Sequence, residues 1–415
     1  KEGSFYTIKQ LWSPVQIMNT SVDKQFDGKF SVENRYDFLN LNTCRFLWKQ
    51  VKFPTATDAS NTTAQVLKQG EVQGSDVAAH SAGVLDIKTT ILPDADALFL
   101  TAIDRYGHEL WRWTFPVNKL NQANEVLSPL SNKVTSTETE NELTVKAKNH
   151  TFIFSKKDGQ LKGVSVNNRK ISFANGPRFI GARRADRSLD QFYNHDDEKA
   201  KEKDRTYSEF PDAAVFTKLD VKEDGGNLIV TANNKLGNLD KVQWTINPNG
   251  EAVLDYTYNF SGVVDLMGIC FDYPEDQVIS KRWLGAGPYR VWQNRIHGTQ
   301  YDVWENDYND PIPGETFTYP EFKGYFGSVS WMNIRTKEGT ISLTNETPDA
   351  YIGVYQPRDG RDRLLYTLPE SGISVLNVIP PVRNKVNSTD LCGPSSQPKW
   401  VNGPQSGRII FRFME

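Results

Sequence analysis

The chain has little of what most often advertises a chemistry. Its three cysteines, Cys44, Cys270 and Cys392, stand far apart and odd in number in 415 residues, which argues against a disulfide framework and offers no zinc-ligand spacing. Histidine is almost as scarce, with five residues, and no motif asks for a metal or another cofactor. No apolar run approaches the roughly 18 residues of a spanning helix, so no membrane is expected as a partner. Charge of one sign is also missing: 48 Lys and Arg meet 51 Asp and Glu, for a net charge of −3. That balance leaves no strong field to draw a nucleic acid or an anionic surface, and a neutral partner fits better.

Helix-period stretches are scarce as well, whereas period-2 alternation broken by turn residues runs through most of the sequence. Leu98–Ala102 and Leu110–Phe115 flank Tyr106-Gly107-His108, which predicts a hairpin with Trp111, Trp113 and Phe115 on one face. Thr151–Ser155 and Leu161–Val166 flank the Asp158-Gly159 pair, a strong tight-turn signal. Asn247-Pro248-Asn249-Gly250 begins another hairpin. Its second strand should bury Leu254, Tyr256, Tyr258 and Phe260 and leave Val253, Asp255, Thr257 and Asn259 wet. Arg408–Phe413 reads as a last short strand. Strand–helix alternation of the kind that builds a parallel sheet or barrel is not seen, so the expected class is all-β.

A chain of 415 residues predicts two or three domains. A polar stretch nearly free of aromatics around residues 118–140 marks the boundary. We therefore expect an immunoglobulin-like β-sandwich over 1–125, a linker over 126–140 and a large antiparallel β-sandwich over 141–415. Strands of the first domain are expected near Phe30–Asn40, Phe46–Phe53, Gly83–Ile91, Leu98–Ile103 and Leu110–Phe115. The charge-dense run His195–Arg205 reads as a solvated surface segment. Lys1-Glu2-Gly3-Ser4 shows neither an initiator Met nor a signal-peptide pattern, and a piece of a longer protein is expected. Sequons begin at Asn19, Asn61, Asn149, Asn259, Asn345 and Asn387 but do not fix the compartment; a secreted or periplasmic parent is suspected.

The densest functional-looking stretch is Trp283-Leu284-Gly285-Ala286-Gly287-Pro288-Tyr289-Arg290-Val291-Trp292-Gln293-Asn294-Arg295. Gly285, Gly287 and Pro288 should break a strand, so that Tyr289 to His297 leaves the sheet as a shaped loop. Such a loop would present aromatic faces to the C–H faces of sugars, and Arg and Asn side chains to their hydroxyls. Against this stands the simpler reading that Trp283 and Trp292 pack in the core. Trp304-Glu305-Asn306-Asp307 and Tyr319-Pro320-Glu321-Phe322-Lys323-Gly324 follow; their oxygens could cap turns or hold Ca²⁺, and the turn is favoured. In Gly181-Ala182-Arg183-Arg184-Ala185-Asp186 the arginines could reach substrate or pair with nearby carboxylates, the latter being favoured.

These segments resemble one family. Trp283-Leu284-Gly285-Ala286-Gly287-Pro288 with Asn294-Arg295 is similar to the Trp-Leu-Gly-x-Gly-Pro…Asp-Arg signature in the last domain of family 2 β-galactosidases. Tyr319–Gly324 is similar to their Tyr-Pro-x-Glu-x-Gly, Arg183–Asp186 to their Arg-Ala-Pro segment, and Glu2–Val15 to the junction that follows their catalytic barrel. Departures occur at Tyr289–Trp292, at Asn294 and in the position of Glu321. The resemblance implies an immunoglobulin-like domain and a β-supersandwich whose loops close over a barrel active site on the parent chain, with a galactoside or related glycan as partner. It also implies that the catalytic carboxylates lie in that barrel, so no catalytic residue is assigned here. The sugar-contacting residues implied are Arg183, Arg184, Tyr289, Arg290, Trp292, Asn294, Arg295, Trp304, Glu305 and Glu321. Rival readings are a stand-alone carbohydrate-binding module, a spacer of stacked sandwiches, and a sandwich epimerase or lyase using His195 or His297.

Overall fold

A computed structural model describes residues 3–58, 63–117, 133–184, 207–212, 214–307, 324–354, 368–369, 371–381 and 392–415. The protein is nearly all β, with strands in 59% of residues and antiparallel sheets forming sandwich-like layers. One α-helix occurs among the described residues, α1 (Gly3–Leu11). Two compact units divide the chain.

The first unit comprises Lys1–Asn124 with the short segments Leu284–Tyr289 and Ile296–Trp304. Its seven strands are β1 (Val15–Ile17), β2 (Lys29–Asn34), β3 (Arg45–Lys52), β4 (Gln65–Gln73), β5 (Ser81–Asp86), β6 (Ala97–Ile103) and β7 (Glu109–Pro116). They form a three-stranded sheet ordered β1-β2-β5 and a four-stranded sheet ordered β4-β3-β6-β7. The inward residues, among them Phe30, Phe46, Leu85, Leu98 and Phe115, make one core. Phe30 stacks on Phe115 at 5.2 Å and so joins the two layers. The expected β6–β7 hairpin is present, and the alternation buries Trp111 and Phe115 as the pattern requires. Two expected strands are shorter than predicted: that near Phe30–Asn40 stops at Asn34, and that near Gly83–Ile91 spans Ser81–Asp86. Asn34 explains the first stop, because its buried side-chain amide donates to the carbonyls of Leu39 (2.8 Å) and Val77 (2.9 Å) and holds a turn there.

The second unit comprises Glu125–Trp283, Arg290–Arg295 and Glu305–Glu415. A ten-stranded and a nine-stranded sheet supply its layers. Between them lies an aromatic core in which Phe154 meets Trp244 (6.2 Å) and Phe173 meets Phe411 (5.1 Å) and Phe413 (5.4 Å). The hairpins at Asp158-Gly159 and Asn247–Gly250 form as expected. Ala252–Val264 buries Leu254, Tyr256 and Tyr258 as its alternation dictates, with Phe260 only half-buried. The last strand is longer than predicted, running Lys399–Met414. At the Gly-Pro motif the strand Val278–Gly287 continues through Gly285 and Gly287 and ends before Pro288, so the break falls later than the glycines suggest.

Candidate functional site

The loop that follows Gly287 is built differently in its two parts. In the first unit, Tyr289 stacks on Tyr6 of α1 at 5.5 Å, and its hydroxyl donates to the His297 carbonyl at 3.0 Å. The Thr7 hydroxyl donates to the same carbonyl at 2.8 Å, and Gln10 Oε1 accepts from Gly298 N at 2.6 Å. Burial holds the Tyr289 hydroxyl well above the usual phenol range. The Ile296–Trp304 segment is fastened further along. Arg112 reaches Asp302 at 3.1 Å and Gln300 Oε1 at 2.7 Å, and Tyr301 N donates to Thr114 Oγ1 at 2.9 Å. Burial raises the Asp302 carboxyl above its ordinary range, with Arg112 opposing that rise.

Trp304, half-buried, directs its indole N–H to the carbonyls of Gly285 (3.2 Å) and Gln300 (3.1 Å). Its ring lies so close over Gly287 that any Cβ there would overlap it. The glycine of the Trp-Leu-Gly-x-Gly-Pro signature is thus needed for close approach of an aromatic ring to the backbone.

In the second unit the same loop packs inward. Trp292 meets Tyr325 edge-on at 5.6 Å and, with Val291, joins a cluster containing Leu376 and Ile379. Arg290 lies 4.9 Å over the Phe326 ring, which Trp283 also meets, edge-on at 4.8 Å. Gln293 donates through Nε2 to the carbonyls of Ser395 (2.9 Å) and Gln397 (2.7 Å), and Asn294 donates to Ser396 Oγ at 3.1 Å. The loop is thereby clasped to the short turn Pro394–Ser396. Arg183 and Arg184 share one buried carboxylate: Asp265 accepts from Arg183 Nη1 at 2.6 Å and from the Arg184 backbone N–H at 2.9 Å. Arg184 also donates to the Pro381 carbonyl at 2.7 Å.

Four expected contact residues, Arg184, Tyr289, Arg290 and Trp292, are therefore buried rather than open. This corrects the expectation of exposed ring faces at those positions. The physical reason is that the loop's apolar and planar groups find partners, Tyr6 of α1 for Tyr289, Tyr325 for Trp292 and Phe326 for Arg290, and lose more by facing water. Arg183, Asn294 and Trp304 are half-buried, while Arg295 and Glu305 are exposed. Tyr289 and Trp304 belong to the first unit and the other described members to the second. Glu321, with its Tyr319–Gly324 motif, and His195, with its charged run, lie outside the described residues. His297 is exposed and engaged through its carbonyl. No group of three or more potential metal ligands occurs among the described residues.

The family described as beta galactosidase small chain matches residues 146–378, more than half of the chain and inclusive of the Gly-Pro motif and both arginines. The chain belongs to that beta galactosidase small chain family. Among solved structures it is similar to galactose 1-epimerase from Lactobacillus acidophilus NCFM, at 10% identity over 69% of this chain and 99% of that one, with a TM-score of 0.36. It is also similar to a protein assigned as a mutarotase from Salmonella typhimurium, at 9% identity over 71% and 97% of the two chains, with a TM-score of 0.31. The search of curated proteins found no match.

Within this small-chain domain, two residues that organise the arginines and the loop were not singled out from sequence. Asp265 is one, and its signal was an acidic residue set alone in the apolar run Val263-Val264-Asp265-Leu266-Met267. Gln293 is the other, and nothing in its neighbourhood foretold that it would hold a turn one hundred residues away.

Proposed function

We propose that this chain is the non-catalytic, C-terminal all-β part of a β-galactosidase-type glycoside hydrolase, with the first unit an immunoglobulin-like sandwich and the region 141–415 supporting and partly lining a galactoside site. The observation that carries this reading is the small-chain family match over 146–378, which encloses the Trp283–Asn294 motif. Of the residues considered for sugar contact, Arg183, Asn294 and Trp304 are half-buried and Arg295 and Glu305 exposed, and these residue types suit sugar hydroxyls and ring faces. Tyr289, Arg290, Trp292 and Arg184 act from below, by fixing the loop that carries them. A retaining glycosidase works through two carboxylates about 5 Å apart, and in this reading a barrel domain of the parent chain supplies that pair.

The test compares the 415-residue chain with the longest protein its gene encodes. The longer protein should hydrolyse a nitrophenyl β-galactoside, and 1–415 alone should not. Hydrolysis by neither would overturn the reading. Accelerated mutarotation of α-D-galactose by 1–415, followed by polarimetry, would replace it with a sugar epimerase.

A further inference from the structure

Of the ten tryptophans, only Trp12 and Trp400 keep their rings largely open. Trp12 continues the apolar face of α1, beside exposed Phe5, Ile8 and Leu11. Trp400 stands on a polar sheet surface at 70% exposure, opposite the exposed Val263.

Ala252–Val264 and Lys399–Met414 pair from Ala252 opposite Phe411 to Val264 opposite Lys399. Their outer neighbours stop short: pairing to Leu239–Ile246 reaches only Tyr258, and pairing to Gly339–Asn345 reaches only Ile409. Past those points, residues 259–264 and 399–404 form a two-stranded ribbon. Such a ribbon is marginal alone, and its inner side is anchored by Phe260, which meets Phe210 at 4.9 Å and Phe179 at 6.0 Å.

Alternation places Trp400, Asn402 and Ser406 on the opposite side, across from Val263, Ser261 and Thr257. Two cross-strand contacts fix that shared face: Ser261 Oγ donates to Asn402 Oδ1 at 2.7 Å, and Thr257 Oγ1 lies 2.8 Å from Ser406 Oγ. The Asn402 carbonyl is thereby occupied and its amide nitrogen is left as a donor. From Trp400 to Ser406 and from Thr257 to Val263 no outward side chain is ionised. Open strand surfaces are usually protected by charge, and here that protection is replaced by hydroxyls, amides and one ring.

We propose that this outer ribbon face binds a neutral oligosaccharide, with Trp400 stacked on the C–H face of one sugar ring and the Asn402 amide donating to a hydroxyl. An indole face is apolar and electron-rich, matching the weakly positive C–H face of a pyranose. Neutral amide and hydroxyl groups match its rim without the desolvation cost of a buried charge. The cations that border this face, Lys241 opposite Thr257 and Arg408 beyond Ser406, lie at the far end from Trp400, and Arg408 is already paired with Asp255 and Glu346, while Lys399 alternates to the other side. The proposal concerns binding by the chain itself and stands independently of any hydrolysis by a parent protein.

Affinity electrophoresis of the full chain through gels containing galactan, xylan, mixed-linkage β-glucan or polygalacturonate tests it. Retardation is expected in at least one neutral polysaccharide and not in polygalacturonate. Trp400→Ala should weaken it about tenfold, Trp400→Phe less, and Asn402→Ala measurably. An unchanged thermal melt of Trp400→Ala would confirm that the variant is folded. The proposal fails if no neutral polysaccharide retards the chain, if Trp400→Ala is retarded as strongly as the parent sequence, or if polygalacturonate retards it best. It also fails if sedimentation shows self-association that Trp400→Ala abolishes, since the ring would then serve an interface between copies.

Discussion

His150 Nε2 lies 2.8 Å from the carbonyl oxygen of Phe413, so one imidazole ties a strand of the ten-stranded sheet to a strand of the nine-stranded sheet. A carbonyl only accepts, so Nε2 must carry the proton. Burial lowers the His150 pKa from its ordinary 6.5, and Lys148 adds to the lowering, while the bond to Phe413 opposes it.

The pH dependence follows from that direction. The folded state holds His150 neutral, so its contribution is present above pH 6.5 and is lost as pH falls through the lower folded value. His150→Gln keeps an Nε2 donor for Phe413 but does not titrate. Urea unfolding should show the parent sequence losing stability between about pH 7 and about pH 5 by up to about 1 kcal/mol more than the variant. Identical pH profiles for the two would contradict the assignment.

Asp265 carries a second prediction. It is buried and accepts from the Arg183 side chain and the Arg184 backbone. Asp265→Ala removes the carboxylate that both arginines share and should cost about 2–4 kcal/mol, below the figure for a fully buried pair because Arg183 is partly open. Asp265→Asn retains an acceptor for the Arg184 N–H and should recover part of the loss. If chemical denaturation places Asp265→Ala within about 0.5 kcal/mol of the parent, the carboxylate is not the organiser of this corner.

The fold class was legible because alternation in strands such as Ala252–Val264 states directly which side faces the core. Strand ends were less legible, since they depend on side-chain hydrogen bonds such as those of Asn34, which no periodicity records. α1 was missed for a related reason. Tyr6, Thr7 and Ile8 favour extended backbone on propensity, and the helix is held by contacts with residues nearly 300 positions later. For the site, composition identified the loop but not its inside and outside. Trp292 and Trp400 are both tryptophans beside polar residues, yet Tyr325 and Ile379 cover the first, while the strands that could have flanked the second end before reaching it.

The contact between α1 and the 289–298 loop yields the last prediction. Gly298 has φ of +86°, a conformation costly for side-chain-bearing residues, and a Cβ there would fall within 2.5 Å of both Thr7 N and the Tyr289 hydroxyl. Both obstacles are rigid, one being helix backbone and the other a phenol fixed by its bond to the His297 carbonyl. Gly298→Ala should therefore displace α1 rather than be absorbed locally, breaking the Gln10–Gly298 bond and unstacking Tyr6 from Tyr289. The expected cost is about 2–3 kcal/mol, combining backbone strain with the lost contacts. Tyr289→Phe keeps the stack and loses only one hydroxyl hydrogen bond, for about 1 kcal/mol. Hydrogen exchange resolves the two effects: amides of residues 5–12 should lose protection in Gly298→Ala and keep most of it in Tyr289→Phe. Equal protection of α1 in Gly298→Ala and the parent sequence would show that the helix does not depend on this loop.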